Sequence, residues 1–198
     1  MRVIAGEFRS RRLKSLPGLN TRPTPDRLRE TLFNVLAPSI RDCTFMDVYA
    51  GTGAVGIEAL SRGARRCIFI ENRRAAVDVI RENLATLGLE SRAEVFTSKA
   101  TTVLERVRAD IVFLDPPYEL ATEYQTAMSA LDHSETPLVI AQHSSRFTPQ
   151  EEYGNLQRYR VIKQGDNALS FYRKISTSKT HPLKTEKTNT ALTPPATQ

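Results

Sequence analysis

The chain has 198 residues, 40% hydrophobic and 25% charged, which suits one soluble domain with a proper core and excludes a chain too polar to fold. No apolar stretch reaches membrane-spanning length, there is no signal-peptide core, and the only cysteines, Cys43 and Cys67, stand apart beside three histidines; a cytoplasmic protein with neither disulfides nor a metal is expected. Of the formal charge of +6, residues 1–30 carry eight basic against three acidic side chains while 31–175 sum to −1, so a polyanionic partner read by the N-terminal segment is expected, with a solvated basic face as the alternative.

In chain order, VIAGEF and RRLKSL around a small-residue centre predict a short basic hairpin over 2–14. Thr24-Pro25-Asp26 then opens a helix, with a capping threonine, proline in the first turn and an acid near the positive helix end. Its apolar stripe is Leu28, Leu32, Val35 and Leu36, and Pro38 closes it. From Thr44 onward short apolar runs fall at 45–49, 67–70, 93–96, 110–114 and 137–141. Most are separated by helical patterns, the clearest at 73–87, where Val77, Ile80, Leu84 and Leu87 recur at helical spacing before Gly88. Such alternation predicts a parallel sheet covered on both faces, with its ligand at the carboxyl ends of the strands. RYRVIKQ (158–164) and ALSFYRK (168–174) flank Gly165-Asp166-Asn167 and read as an antiparallel hairpin on the sheet edge, the sixth and seventh strands. The expected organisation is a basic hairpin and helix over 1–40, an α/β domain over 41–175 and a disordered Thr/Lys/Pro-rich tail over 176–198.

The first chemical site is the glycine turn. FMDVYA runs into Gly51-Thr52-Gly53-Ala54-Val55-Gly56 ahead of a helix, where the glycines let a ligand approach the backbone closely and Ala50, Gly51 and Gly53 are the expected cofactor contacts. The G-x-G-x-x-G spacing also fits a nicotinamide or flavin enzyme. Glu71, 20 residues after Gly51, is placed to hold ribose hydroxyls of NAD or S-adenosylmethionine alike. Asp47, four residues before the first glycine, favours the latter: a carboxylate there suits an ammonium and a sulfonium and repels a pyrophosphate. The alternative for Asp47 is a cap on a neighbouring N–H.

The second site is FLDPPY (113–118). Asp115 falls where the strand opens into the cleft, and neither Pro116 nor Pro117 carries an N–H, so the turn offers acceptors with few competing donors. The Asp115 carboxylate and Pro116 carbonyl are placed to accept both N–H bonds of a planar amine while the Tyr118 ring stacks on the attached base. Gripping both bonds favours a pyramidal nitrogen whose lone pair points at a methyl donor. An ordinary Pro-Pro turn after a strand is the bland reading, and the conjunction with the glycine turn and Glu71 argues against it.

This ordered set resembles the Rossmann-like class I S-adenosylmethionine-dependent methyltransferases, with DPPY as the signature of those acting on exocyclic or amide nitrogens. More narrowly, MRVIAGEFRSRRLKSLPG, TRPTPDRLRETLFNVL, DVYAGTGAVGIEALSRGA, FLDPPY and KQGDNALSFYRK together are similar to the RsmD family, over about Met1 to Lys174. The resemblance implies methylation of a guanine N2 in bacterial 16S ribosomal RNA, within a small subunit or its assembly intermediate; a monomer is expected because nothing in the sequence signals an interface. It places RNA contacts on Arg9, Arg11, Arg12, Lys14 and Arg22, and puts the TRPTPDRLRE stretch, with Arg22, Thr24 and Arg29, near the methionine end of the cofactor. Arg29 pairing with Asp26, or lying on a solvated face, is the alternative. Asn72 either touches the ribose or caps the following helix. Many relatives carry an acid after the third strand; here Thr97-Ser98-Lys99-Ala100 has none, so adenine contacts are expected from the Ser98 hydroxyl or the backbone near Ala100. The rival functions are another nitrogen acceptor (adenine N6 or a protein amide), a nicotinamide oxidoreductase, and a non-catalytic RNA-binding module.

Overall fold

A computed structural model describes residues 1–16, 25–116, 121–134 and 136–175. The strands are β1 (Thr44–Val48), β2 (Arg66–Glu71), β3 (Ala93–Thr97), β4 (Ile111–Leu114), β5 (Leu138–Ser144), β6 (Glu152–Tyr153), β7 (Leu156–Gln164) and β8 (Asn167–Lys174). They form a single sheet in the order β3-β2-β1-β4-β5-β8-β7-β6. The first five run parallel, and β8, β7 and β6 join antiparallel. The sheet has eight strands against the seven expected from sequence. The addition is β6, two residues paired with Leu156 and Gln157, too short to show a periodicity of its own.

The helices are α1 (Asp26–Leu36), α2 (Ala54–Ser61), α3 (Arg74–Leu87), α4 (Ala100–Leu104) and α5 (Ala121–Asp132). In α1 the helix begins after Pro25, which takes the N-cap place with no side-chain cap; Thr24 lies outside the described residues. Helix α3 stops as its sequence demands, with Gly88 in the left-handed region (φ 67°).

Because successive strand residues face opposite ways, the sheet sorts its apolar side chains into two cores. Phe45, Phe69, Phe113, Ile140, Leu169 and Phe171 pack with α1, α2 and α3, and Val3 and Leu13 of the N-terminal segment enter the same core. Met46, Ile68, Val112, Val139 and Tyr172 pack with α4 and α5. Strand β1 lies between β2 and β4, where the chain order reverses, so the crevice beyond the carboxyl ends of these strands is the candidate ligand position. The N-terminal segment is a small antiparallel unit: Arg2 and Arg12 form a bridge, Val3 donates to the Arg11 carbonyl at 3.0 Å, and Leu13 to that of Met1 at 3.0 Å.

Candidate active site

Asp47, Glu71 and Asp115 come from three neighbouring strand ends. Asp47 is 2% exposed, in register with Phe69 and Phe113. Its Oδ2 accepts the Gly56 N–H at 2.8 Å, so the strand acid is tied to the first turn of α2. Gly56 itself is required by packing: a Cβ there would lie 2.3 Å from Phe69 Cε1 and 2.6 Å from Cys67 Sγ. Its absence brings α2 close enough to β2 for the bond to Asp47 to form. Gly51 and Gly53 take positive φ (57° and 79°), and a Cβ on Gly51 would meet nothing within 4 Å. The turn is tightened by the Gly53 N–H to the Ala50 carbonyl (2.8 Å) and registered on β2 by the Ala50 N–H to the Ile70 carbonyl (3.0 Å).

Glu71 is also buried. Its Oε2 accepts the Gly51 N–H at 2.8 Å, while Oε1 accepts the backbone N–H and Nε of Arg73 at 3.0 and 3.1 Å. The acid is thereby fixed at the rim of the glycine turn. Burial raises the Asp47 carboxyl well above the usual carboxylate range; the Gly56 amide opposes this, and the charges of Asp115 and Glu71 add to it. Two carboxylates bonded to one glycine turn suit a ligand carrying positive charge and would repel a pyrophosphate. The residues present therefore fit S-adenosylmethionine, with its sulfonium and ammonium, better than a dinucleotide.

On the acceptor side, the Asp115 N–H donates to the Val48 carbonyl at 3.3 Å, which holds the half-buried acid against β1; Pro116 is buried. Pro117 and Tyr118 lie outside the described residues, as does Arg22. Tyr49, at the exit of β1, has a positive φ of 65° and donates its hydroxyl to Glu123 Oε2 at 2.8 Å. It thus ties the cofactor side of the crevice to the helix that follows the acceptor loop. Burial, then the bonded Glu123, push its phenol upward.

The basic segment is docked on α2. The wholly buried Glu58 carboxylate accepts the Ile4 and Ala5 N–H groups at 2.8 and 3.0 Å and Arg62 Nε at 2.7 Å. Ser61 accepts the Phe8 N–H on Oγ and the Glu7 N–H on its carbonyl, and donates its hydroxyl to the Ala5 carbonyl. Asn83 of α3 pairs with both backbone groups of Lys14 (2.7 and 3.2 Å) and also donates to the Thr52 carbonyl at 3.2 Å. One buried amide therefore joins the end of the basic segment to the middle of the glycine turn. Arg9, Arg11, Arg12 and Lys14 are exposed, Lys14 in an ion pair with Glu82.

Asp47, Ala50, Gly51, Gly53, Glu71 and Asp115 thus gather at one crevice. Asp47 also makes the N–H contact weighed as its alternative. Ser98 sits beside them, its N–H on the Glu71 carbonyl at 3.2 Å, while Ala100 opens α4 and is buried. Asn72 is exposed and does not cap α3, whose N-cap position is Arg73. Arg29 is wholly buried; its Nη2 donates to Asp26 Oδ1 and the Arg2 carbonyl, which removes the solvated-face alternative. The residues missed from sequence are Tyr49, Glu58, Ser61 and Asn83. Two left a signal: Glu58 interrupts the apolar run AVGIEALS, and Asn83 falls on the α3 stripe beside Ile80, Leu84 and Leu87.

This fold and this crevice define a Rossmann-like class I S-adenosylmethionine-dependent methyltransferase. The family model described as conserved hypothetical protein 95 matches residues 1–173. The chain belongs to that family, the RsmD family. It is 33% identical to YlbH of Bacillus subtilis over 88% of this chain and 99% of that one. It is 45% identical to ribosomal RNA small subunit methyltransferase D of Escherichia coli K12, over 60% of each chain. The solved structure of Escherichia coli yhhF superposes with a TM-score of 0.76 at 36% identity, covering 88% of this chain and 97% of that one.

Proposed function

We infer that the protein methylates the exocyclic N2 of a guanine in the 16S RNA of the small ribosomal subunit. The observation that carries the reading is the pair Asp47 and Glu71 bonded to one glycine turn, with Asp115 at the neighbouring strand end and an exposed basic segment docked on α2. The relatives named as small-subunit ribosomal RNA methyltransferases support the substrate class. Bound S-adenosylmethionine supplies a methyl group on a sulfonium, whose bonding electron pair stays on sulfur as the new N–C bond forms. Glu71 is assigned the ribose hydroxyls and Asp47 the ammonium end, with Ala50, Gly51 and Gly53 lining the turn between them. Ser98 and the backbone at Ala100 are assigned the adenine, and Asn72 the outer ribose edge. The Asp115 carboxylate and Pro116 carbonyl receive the two amine N–H bonds, with Pro117 adding no competing donor and Tyr118 stacking on the base. Asp115 steadies the positive charge that grows on nitrogen; proton loss follows, because the methylated ammonium is far more acidic than the amine. Arg9, Arg11, Arg12, Lys14 and Arg22 hold RNA phosphates.

The test incubates the protein with labelled S-adenosylmethionine and, separately, naked ribosomal RNA, small subunits from cells lacking the enzyme, and duplex DNA, followed by digestion to nucleosides. Label in N2-methylguanosine from either RNA substrate is expected. Label confined to N6-methyladenine, or none, would sink the reading.

A further inference from the structure

The β7–β8 ribbon carries a surface that neither the fold nor the crevice accounts for. Among the described residues the exposed large apolar side chains are Tyr159 (46%), Val161 (40%) and Ile175 (41%), all on this ribbon or immediately after it. Residues 156–175 also hold five basic side chains against one acid, Asp166, in a body that is otherwise acidic. Two of the five have structural work: Arg158 binds Glu151 and the Pro149 carbonyl, and Lys174 binds the carbonyls of Asp132 and Ser134. Arg160, Lys163 and Arg173 hold no ion pair among the described residues.

A β-bulge places Tyr159. Arg158 pairs with Tyr172 and Arg160 with Phe171, so Tyr159 is the extra residue, and the bulge turns its ring out beside the neighbouring cations. The Arg173 guanidinium lies 5.3 Å from the Tyr159 ring centre, and Arg160 lies 5.9 Å over Phe171. Beyond Gln157 no strand among the described residues covers β7. Charges and a bulge on an open edge deter strand addition, and that explains Arg160 and Lys163. It does not explain an exposed tyrosine and valine, which invite it.

We propose that Tyr159, Arg160 and Arg173 form a second RNA-binding surface, taking a single-stranded stretch by base stacking on Tyr159 and by phosphate contacts from the two arginines. This rests on the reading of the protein as an RNA methyltransferase. The chemistry is that of single-strand recognition: a sequence-tolerant aromatic platform with cations along the backbone path. Phe171 belongs to the core that takes in Val3 and Leu13, so the ribbon patch and the basic N-terminal segment lie on the same side of the sheet. Arg173 pairs with Leu138 at the start of β5, the end of the sheet remote from Asp115, so the surface acts on RNA capture and not on methyl transfer.

The test compares wild type with Tyr159→Ser, with the double variant Arg160→Gln/Arg173→Gln, and with Arg160→Lys/Arg173→Lys. All are first checked for unchanged circular dichroism and cofactor affinity. On an RNA that the wild type methylates, Tyr159→Ser should weaken binding about tenfold at every salt concentration. The double Gln variant should lower the slope of log K against log salt by roughly 1 to 2, with KM raised and kcat unchanged. The Lys variant should restore the slope. Unchanged affinity and slope in the Ser and Gln variants, on an RNA the wild type still binds and methylates, overturns the ribbon surface and leaves the enzymatic reading intact. A wild type that neither binds nor methylates any RNA refutes the underlying function instead. Wild-type self-association abolished by Tyr159→Ser in sedimentation, with RNA affinity unchanged, would reassign the patch to a contact between copies.

Discussion

Gly6→Ala tests how the basic segment is held. Gly6 has φ 84°, and a Cβ there would lie 1.9 Å from the Ser61 carbonyl oxygen, against 3.4–4 Å for ordinary contact. The clash is with backbone in the last turn of a buried helix, so a rotamer change cannot relieve it. The segment must lift, and with it go the bonds of the Ile4, Ala5, Glu7 and Phe8 amides to Glu58 and Ser61. At about 0.5–1.5 kcal/mol net per bond, the four contribute roughly 2–6 kcal/mol. The left-handed backbone conformation costs a non-glycine residue roughly 1 kcal/mol more. Because the segment pairs with itself and is no strand of the sheet, it can detach without unfolding the sheet, so the loss should be local. Native-state hydrogen exchange should show protection of these four amides falling about a hundredfold, since 1.4 kcal/mol is about tenfold, while β1 and β4 amides keep theirs. Protection within twofold of wild type at all four amides would refute the account of docking.

Asp115→Ala should abolish methyl transfer while cofactor affinity, measured by calorimetry, stays within a few-fold; loss of both would misplace Asp115 on the cofactor side. Gly56→Ala, which drives a methyl into Phe69 and Cys67, should cost about 1–3 kcal/mol by overpacking and lower Tm by ~3–10 °C. Asn83→Leu removes the amide shared by Lys14 and Thr52; denaturant unfolding should show a loss of roughly 1–3 kcal/mol together with weaker cofactor binding. Unchanged cofactor affinity would mean that the Thr52 carbonyl needs no anchor. For Asp47 the folded-state pKa is raised, so the ionised group costs stability as pH climbs above its ordinary value of 3.8. A cationic ligand stabilises the ionised form and releases protons on binding, so cofactor affinity should rise with pH. Calorimetry in two buffers of different ionisation heat measures that release, and Asp47→Asn should remove it.

The elements were legible because their signals are local. Five apolar runs of strand length, a helix stripe ending on Gly88 and a hairpin around Gly165 all appear at or near their expected bounds. The crevice acids were legible for the same reason: Asp47 and Glu71 stand at defined offsets from glycines, and Asp115 ends an apolar run. Local pattern also predicts a ligand at the carboxyl ends of the strands, the rim where these acids stand. What sequence could not decide is which polar groups meet across the fold. Glu58 lies more than fifty residues from the amides it binds, and Asn83 joins Lys14 to Thr52 across 69 and 31 residues. Nor could it show that Gly56 is needed for the approach of α2 to β2, or that a bulge turns Tyr159 outward. Periodicity reports which face of an element is buried, whereas hydrogen-bond partners depend on how faces from distant parts of the chain are brought into register. Only the packed structure contains that.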